Sequence, residues 1–264
     1  MQSAAQSFRA LCRSGEHTSH SSGHAKGYAQ ANLVVLPSVF ADDFARFCEL
    51  NPKACPVLEV IPAGSPHPSK VCNGNVDLRS DLPRYRVFRN GQLCDEPTDV
   101  TSIWRDDLVS FLIGCSFTFD SLLAGAGLPP RHLAAGRNVP MYRCPARPAA
   151  RAGPFAGDLV VSLRPYAPRD ADRAAALTAQ YPRFHGAPVH RGDPGALGIA
   201  DLRAPDFGDP PGELGEGEEP VFWACGVTPQ VALLGAQEVD FAITHAPGHM
   251  LVCDLTDTEV IEDC

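Results

Sequence analysis

The hydrophobic pattern of this chain consists of short apolar runs separated by amphipathic segments and turns. Residues 31–37 form an apolar run that predicts a strand. Ser38 can then cap a helix over residues 41–50, where phenylalanines recur at helical spacing. A second helix is predicted over residues 102–113, because its Ile, Leu and Phe positions can face inward together. The first part of the chain therefore combines a strand with helices.

The second half alternates strand and helix signals. Apolar runs predict strands over residues 138–144 and 158–164, and an alanine-rich stretch predicts a helix over 171–180. The last quarter continues with a strand, a helix and two strands, over 221–224, 229–234, 241–244 and 250–254. No internal repeat is detected. Together these patterns predict an α/β fold with a mixed sheet flanked by helices.

The same pattern predicts how the chain is divided. We expect a discontinuous main α/β domain formed by residues 1–114 and 191–264, with a smaller α+β subdomain inserted over 115–190. Residues 182–219 show little periodicity. Long irregular stretches inside compact domains are usually functional or disordered, so we expect this one to border a functional site.

Composition restricts the class of protein. The 264 residues are 44% hydrophobic and 20% charged, with a formal net charge of −9. These values are typical of a soluble globular protein, and the negative charge argues against nucleic acid or an anionic membrane as a partner. A small carboxylate remains a suitable partner, because a local cluster of arginines can oppose the global charge. The sequence leaves a homo-oligomer open.

The cysteines and the first residues bear on location. The ten cysteines contain no C-x-x-C pair, so we expect no structural zinc site. The first 26 residues have no apolar core typical of a secretion signal, which favours reduced cysteines and a cytoplasmic protein. Arg9, Arg13 and Lys26 lie among serines in this stretch, and this leaves a mitochondrial location open if the source is eukaryotic.

The end of the predicted strand at 221–224 is a candidate ligand site. Cys225 and Gly226 end the strand, and Thr228 can cap the helix that Pro229 begins. Free backbone N–H groups at such a position attract anions, and a thiol there is expected to have a lowered pKa. A buried turn without chemistry fits these residues about as well.

Several motifs, in order, resemble those of the D-glutamate cyclase family. They are GCSFTF at 114–119, NVPMY at 138–142, VVSLRP at 160–165, HGAPVHRGDP at 185–194 and PVFWACGVTPQ at 220–230. The likeness extends from about residue 27 to about residue 254. It implies a hydro-lyase that acts on a small carboxylate or amino acid, in the specific form of D-glutamate cyclisation to 5-oxo-D-proline with loss of water.

Histidines supply the candidate acid or base. His190 or His245 is expected to move the proton. His185, His190 and Asp193 are close enough in sequence to hold a metal, but they fit a rigid turn equally well. Ala246-Pro247-Gly248 breaks any helix between His245 and His249, which removes the geometry of a helical zinc site. We therefore expect neither a metal nor an organic cofactor.

Polar residues near predicted strand ends supply candidate substrate contacts. Arg164 can bind a carboxylate through two parallel hydrogen bonds, although a salt bridge to an aspartate is the alternative. His185, Asp193 and Gly226 complete the predicted binding set together with four orienting donors, which are Asn138, Tyr142, Thr228 and Gln230. Tyr142 fits a core position equally well.

Cys115 and Cys225 each lie beside a glycine at an element end. Two facing thiols can exchange a proton at an α-carbon, so both are candidate catalytic residues of a cofactor-independent racemase or epimerase. Inert burial is the alternative for both. A further alternative to catalysis is a module that binds a carboxylate and regulates a partner enzyme of oxoproline metabolism.

Overall fold

The computed structural model describes residues 2–73 and 75–259. Eleven strands are present in this part of the chain: β1 (Tyr28–Pro37), β2 (Val57–Ile61), β3 (Tyr85–Arg89), β4 (Gln92–Asp95), β5 (Leu108–Gly114), β6 (Met141–Pro148), β7 (Asp158–Tyr166), β8 (His190–Arg191), β9 (Glu219–Ala224), β10 (Ala242–His245) and β11 (Leu251–Thr256). The α-helices are α1 (Ala4–Arg13), α2 (Ala41–Leu50), α3 (Phe117–Gly125), α4 (Arg131–Ala134), α5 (Pro168–Thr178) and α6 (Thr228–Leu233).

The strands form two sheets. The larger has the order β2-β5-β1-β10-β3-β4, and β11 also pairs with β1. The smaller has the order β6-β7-β9-β8, and every strand pair in the described residues is antiparallel. Helices accompany both sheets, so the predicted α/β class is confirmed.

The central strands β1 and β5 of the larger sheet are buried on both faces. Leu33 and Val35 of β1 belong to one hydrophobic cluster, and Val34 and Leu36 belong to another on the opposite side. Trp223 of β9 packs into the first cluster, so the smaller sheet contributes to the same core. Burial of both faces gives the central strands nearly continuous apolar sequences.

The helix predicted over residues 102–113 is wrong. Residues Thr101–Ile103 form a short 3-10 turn, and the apolar run that follows is β5, which pairs with both β1 and β2. Phe111 packs on one face of the sheet and Leu112 on the other. Because both faces are apolar, the two-residue period of a strand is not visible in the sequence.

The proposed domain boundaries remain a prediction. By that division β9 belongs to the main domain. It nevertheless pairs with β7 of the smaller sheet, with Val161 opposite Ala224 at one end of the pairing and Tyr166 opposite Glu219 at the other. No helix in the described ranges is long and apolar enough to cross a bilayer. For the site, the important consequence of this topology is that the ends of β5 and β9 lie in one hydrophobic cluster.

Candidate functional site

Two strand ends meet where the sheets join. We call residues 115–118, which follow β5, the first strand end, and residues 225–228, which follow β9, the second strand end. Cys115 and Cys225 pack in the same cluster, and the Cys225 sulfur lies 3.6 Å from that of Met141. Burial raises the pKa of Cys225 to about 11 and that of Cys115 further. The expected lowering of the thiol pKa is therefore wrong, because burial outweighs the backbone N–H groups.

The two strand ends use the same hydrogen bonds. At the first, Cys115 N–H donates to the carbonyl of Gln30, and Thr118 Oγ1 accepts from the N–H of Gln30. At the second, Cys225 N–H and Thr228 Oγ1 make the same pair of bonds to Val160. The Cys-x-x-Thr pattern is thus a local structural repeat that the sequence analysis missed.

Thr228 and Gly226 have structural explanations. Thr228 is the first residue of α6 rather than its cap, and its hydroxyl donates to the carbonyl of Cys225 at 2.8 Å. A Cβ built on Gly226 would lie 2.1 Å from Nδ2 of Asn32. Asn32 is itself buried and donates to the carbonyls of Ile113 and Gly114. Close packing, rather than an anion, accounts for the glycine.

The first strand end leads into a buried polar network. Arg164 is 1% exposed, and its Nε donates to Asp120 Oδ1 at 2.8 Å. Its Nη1 donates to Ser162 Oγ, and its Nη2 donates to Ser116 Oγ. The salt bridge to an aspartate, the alternative for Arg164, is thus present. A direct contact of Arg164 with substrate stays a prediction.

Asp120 also holds a histidine. Its Oδ2 lies 3.0 Å from Nε2 of His132. Burial acts to raise the pKa of Asp120, but the charges of Arg164 and His132 bring it below its ordinary value. Burial lowers the pKa of His132, although Asp120 opposes this change. At neutral pH the pair is therefore a carboxylate and a neutral imidazole whose Nε2–H points to Asp120, which leaves the lone pair on Nδ1.

A small cavity lies against this network. Its volume is about 30 Å³, and its walls include Arg131, His132, Arg137, Asn138, Arg164 and Pro210. Asn138 Nδ2 donates to the carbonyl of Pro247, while its buried Oδ1 has no hydrogen-bond partner in the described residues. The cavity thus brings together a neutral histidine oriented by a carboxylate, three arginines and an acceptor without a partner, which are groups suited to acid–base chemistry.

Gln230 and His245 occupy the corresponding place after the second strand end. Gln230 Nε2 donates to the carbonyl of His245 at 2.8 Å and lies 3.2 Å from its Nε2. Nδ1 of His245 accepts from Leu33 N–H at 3.1 Å. Burial lowers the pKa of His245 to about 3, and neither residue lines a described cavity. These contacts do not support the predicted acid–base role of His245.

The other predicted residues are dispersed. His185 Nδ1 lies 2.7 Å from the carbonyl of Lys53, and burial lowers its pKa to about 4. His190 lies on β8, with Nε2 2.8 Å from the backbone oxygen of Asp193, whose side chain accepts from Gly195 N–H. The Tyr142 hydroxyl donates to the carbonyl of Leu202 from within the core. Of the predicted site residues His185, His190, Arg164, Cys225 and His245, only Arg164 lines the cavity described above, so the structure does not bring these five together there.

The potential metal ligands of the described residues do not form a cluster either. Within residues 2–73 and 75–259, no group of three His, Cys, Asp or Glu side chains is placed to hold a metal ion. The His190 and Asp193 contacts instead form a local turn.

Sequence reasoning missed Asp120, His132 and Arg137. Asp120 is a single carboxylate in an otherwise apolar helix, α3, and that isolation was a signal of a buried partner. His132 and Arg137 lie in a polar stretch with no distinguishing pattern, so only the fold reveals their position.

Comparison with known proteins gives the family of this chain. The family model described as D-glutamate cyclase matches residues 109–254. The chain belongs to this family. A protein of Rubrobacter xylanophilus named "Putative hydro-lyase" is 57% identical over 95% of each chain. Similarly named proteins of Bordetella petrii and Geobacillus kaustophilus are 53% and 51% identical, over 96% of this chain and 94% of each relative.

Among solved structures, a nitrogen repressor-like protein from Methanococcus jannaschii aligns over 96% of this chain and 99% of its own, with a TM-score of 0.37 and 9% identity. This similarity is too low to bear on fold or function.

Proposed function

We propose that this protein is a hydro-lyase that cyclises D-glutamate to 5-oxo-D-proline at the cavity beside His132. In this reaction the amine attacks the carbon of the side-chain carboxyl group, a C–N bond forms, and the C–O bond to the departing water breaks. The observation that carries the proposal is the Arg164–Asp120–His132 network at the wall of a cavity that also presents Arg137 and Asn138. The family membership supplies the reaction class.

His132 is suited to the proton transfers. Asp120 fixes the ring with Nε2–H inward, so Nδ1 can take a proton from the substrate ammonium group and later deliver one to the leaving oxygen. Because burial lowers the pKa of His132, the ring is neutral and able to act as a base at neutral pH. Arg164 acts as a positioning residue, since it holds the carboxylate that holds the histidine.

Arg137 and Asn138 are suited to binding. The Arg137 side chain is exposed, and its Nη1 makes one long contact, 3.4 Å, to the carbonyl of Pro210. It can therefore turn to a substrate carboxylate. The unpaired Oδ1 of Asn138 can accept from the substrate ammonium group. The cavity is smaller than a glutamate, so binding requires the segment that carries Pro210 and Pro211 to move outward.

The test is turnover of D-glutamate, followed by NMR as loss of substrate and appearance of 5-oxoproline. The parent chain should form product, and His132→Gln should form it about 10²–10⁴-fold more slowly. His67→Gln is the matched control, because His67 lies at a separate cleft with its Nδ1 near the carbonyl of Val76. Binding of D-glutamate without product in the parent would favour the regulatory module and refute the enzyme.

Turnover of D-glutamate in D₂O distinguishes cyclisation from the racemase alternative. Cyclisation through the amine leaves the α-hydrogen in place, whereas the thiol-pair mechanism exchanges it. Both thiols are buried, and their pKa values are raised, so no exchange is expected. Deuterium at the α-carbon in the parent, lost in Cys225→Ala, would overturn the assignment to His132.

A further inference from the structure

A second cleft lies on the other side of the segment that carries Pro247. Its volume is about 330 Å³, and its walls include Arg84, Arg86, Glu96, Asp206, Pro247 and His249. It shares no lining residue with the cavity beside His132. We call it the Arg84 cleft. None of the residues that line it was selected from the sequence as a site residue.

Of the charged residues that line the Arg84 cleft, Arg86 and Glu96 form a salt bridge with each other, whereas Arg84 forms none within the described residues. Arg86 Nε donates to Glu96 Oε1 at 2.6 Å, and Asp206 Oδ2 accepts from the backbone N–H of Arg143. The Nε of Arg84 is buried and has no hydrogen-bond partner in the described part of the chain. No carboxylate in the described part of the chain forms a salt bridge with Arg84. The guanidinium charge of Arg84 is therefore uncompensated at contact distance, and this costs free energy because the residue is partly buried.

Other unsatisfied polar atoms lie around the same segment. The described chain has five buried side-chain atoms without a partner, and three of them are His20 Nδ1, Arg84 Nε and Asn138 Oδ1. Arg84 accepts from Ala246 N–H through its carbonyl, and Asn138 donates to the carbonyl of Pro247. Burial, with the charges of Arg84 and His20, lowers the pKa of His249 to about 4. Of these three atoms, only Arg84 Nε belongs to a residue that lines the cleft, and a buried polar group without a partner indicates a ligand or ordered water.

We propose that the Arg84 cleft is a binding site for a small carboxylate, with the Arg84 guanidinium as its charged anchor. A guanidinium presents two parallel N–H groups that match the two oxygens of a carboxylate. Neutral His249 and the ring of Phe207, which lies under Arg86 at 5.8 Å, provide uncharged walls on which an aliphatic chain can lie. The site does not depend on turnover at His132.

The probe is glutarate, a dicarboxylate without an amine, which cannot cyclise. Calorimetric titration of the full chain at low salt should show binding that weakens at least about tenfold in Arg84→Gln, the loss expected for charge-assisted hydrogen bonds. Arg84→Lys should bind with intermediate affinity, because it keeps the charge but not the fork. Arg203→Gln, which alters an exposed arginine paired with Asp201, should bind as the parent does.

Two further measurements make the result decisive. Arg84→Gln should melt at the same temperature as the parent or higher, because it removes an uncompensated charge. A lower melting temperature would show instead that Arg84 is a structural residue. His132→Gln should lose turnover yet keep glutarate binding, which separates this proposal from the proposed function. No glutarate binding by the parent, an isotherm for Arg84→Gln that matches the parent, or binding that depends on His132 instead would each overturn it.

Discussion

The first and second strand ends have the same backbone and different chemistry. Each has a cysteine and a threonine that bond to one residue of the adjacent strand. Five residues after each cysteine, a polar side chain contacts a histidine. After the first strand end it is Asp120 with His132, and after the second it is Gln230 with His245. The difference is that the first pair contains a carboxylate, whereas the second contains a neutral amide in its place.

This difference determines what surrounds each histidine. Asp120 is a buried carboxylate, so it requires Arg164 as a partner, and its histidine lies at a cavity wall. Gln230 is neutral and needs no counter-charge, and its Oε1 accepts a long hydrogen bond from Nη1 of Arg86 at 3.4 Å. His245 is enclosed by β1 and α6. These differences support the proposed chemistry at the first strand end and a packing role for the second.

The largest effect is expected where charge is buried. Arg164→Gln leaves Asp120 in the core without its cation, which should lower the free energy of unfolding by about 3–5 kcal/mol in urea titrations. The matched control is Arg203→Gln, whose exposed ion pair with Asp201 is screened by water, so its loss should change the free energy of unfolding far less. Equal losses in the two variants would show that the Asp120 network is not a buried ion pair.

The next largest difference in stability between the two strand ends is expected from a steric change. Gly226→Ala places a Cβ 2.1 Å from Asn32 Nδ2, and overpacking of this kind costs about 1–3 kcal/mol. At the equivalent position, Ser116→Ala removes one hydrogen bond from Arg164 and should cost less, about 1 kcal/mol. Urea unfolding compares them. A Gly226→Ala protein as stable as the parent would contradict the close packing of the second strand end.

The pH dependence of stability should report His245. Its pKa is about 3 when folded and about 6.5 when unfolded, so the unfolded chain binds more protons as acid is added. Stability should therefore be complete above about pH 6.5 and fall as the pH decreases towards 4. In His245→Gln the decline should be shallower by about one proton, measured as the slope of unfolding free energy against pH. An unchanged slope would place His245 in contact with solvent.

The smallest effects concern the thiols. Because burial raises the pKa of Cys225 to about 11, iodoacetamide at neutral pH should leave it unmodified, while exposed Cys94 reacts. Peptide mass spectrometry distinguishes the two sites. Alkylation of Cys225 as fast as Cys94 would support a reactive thiol at the second strand end.

The sequence predicted the fold class better than the residues of the site. The α/β class and most elements of the second half follow from short apolar runs between turns. The failure at β5 arises because Phe111 and Leu112 are both buried, on opposite faces, so no polar face marks the strand. The motif cysteines Cys115 and Cys225 do lie where the sheets meet. Their reactivity could not be predicted from the sequence, because it depends on burial by segments that are distant along the chain.

The candidate site, too, could be predicted only in part from the sequence. Arg164 was predicted as a substrate contact and lies at the cavity wall, yet its partner Asp120 lies 44 residues away in sequence. His132 becomes recognisable only once Asp120 is known to face it. The prominent His185, His190 and Asp193 motif is explained by backbone contacts at turns, which a sequence pattern cannot distinguish from ligand contacts.

The most direct test of the account is ¹⁵N NMR of the imidazole nitrogens of His132 and His245 in the full chain at neutral pH, with and without D-glutamate. The account predicts that both rings are neutral, that His132 carries its proton on Nε2, and that D-glutamate shifts the His132 Nδ1 resonance while the His245 resonances stay unchanged. A shift of His245 with no response of His132 would contradict the assignment of chemistry to the first strand end.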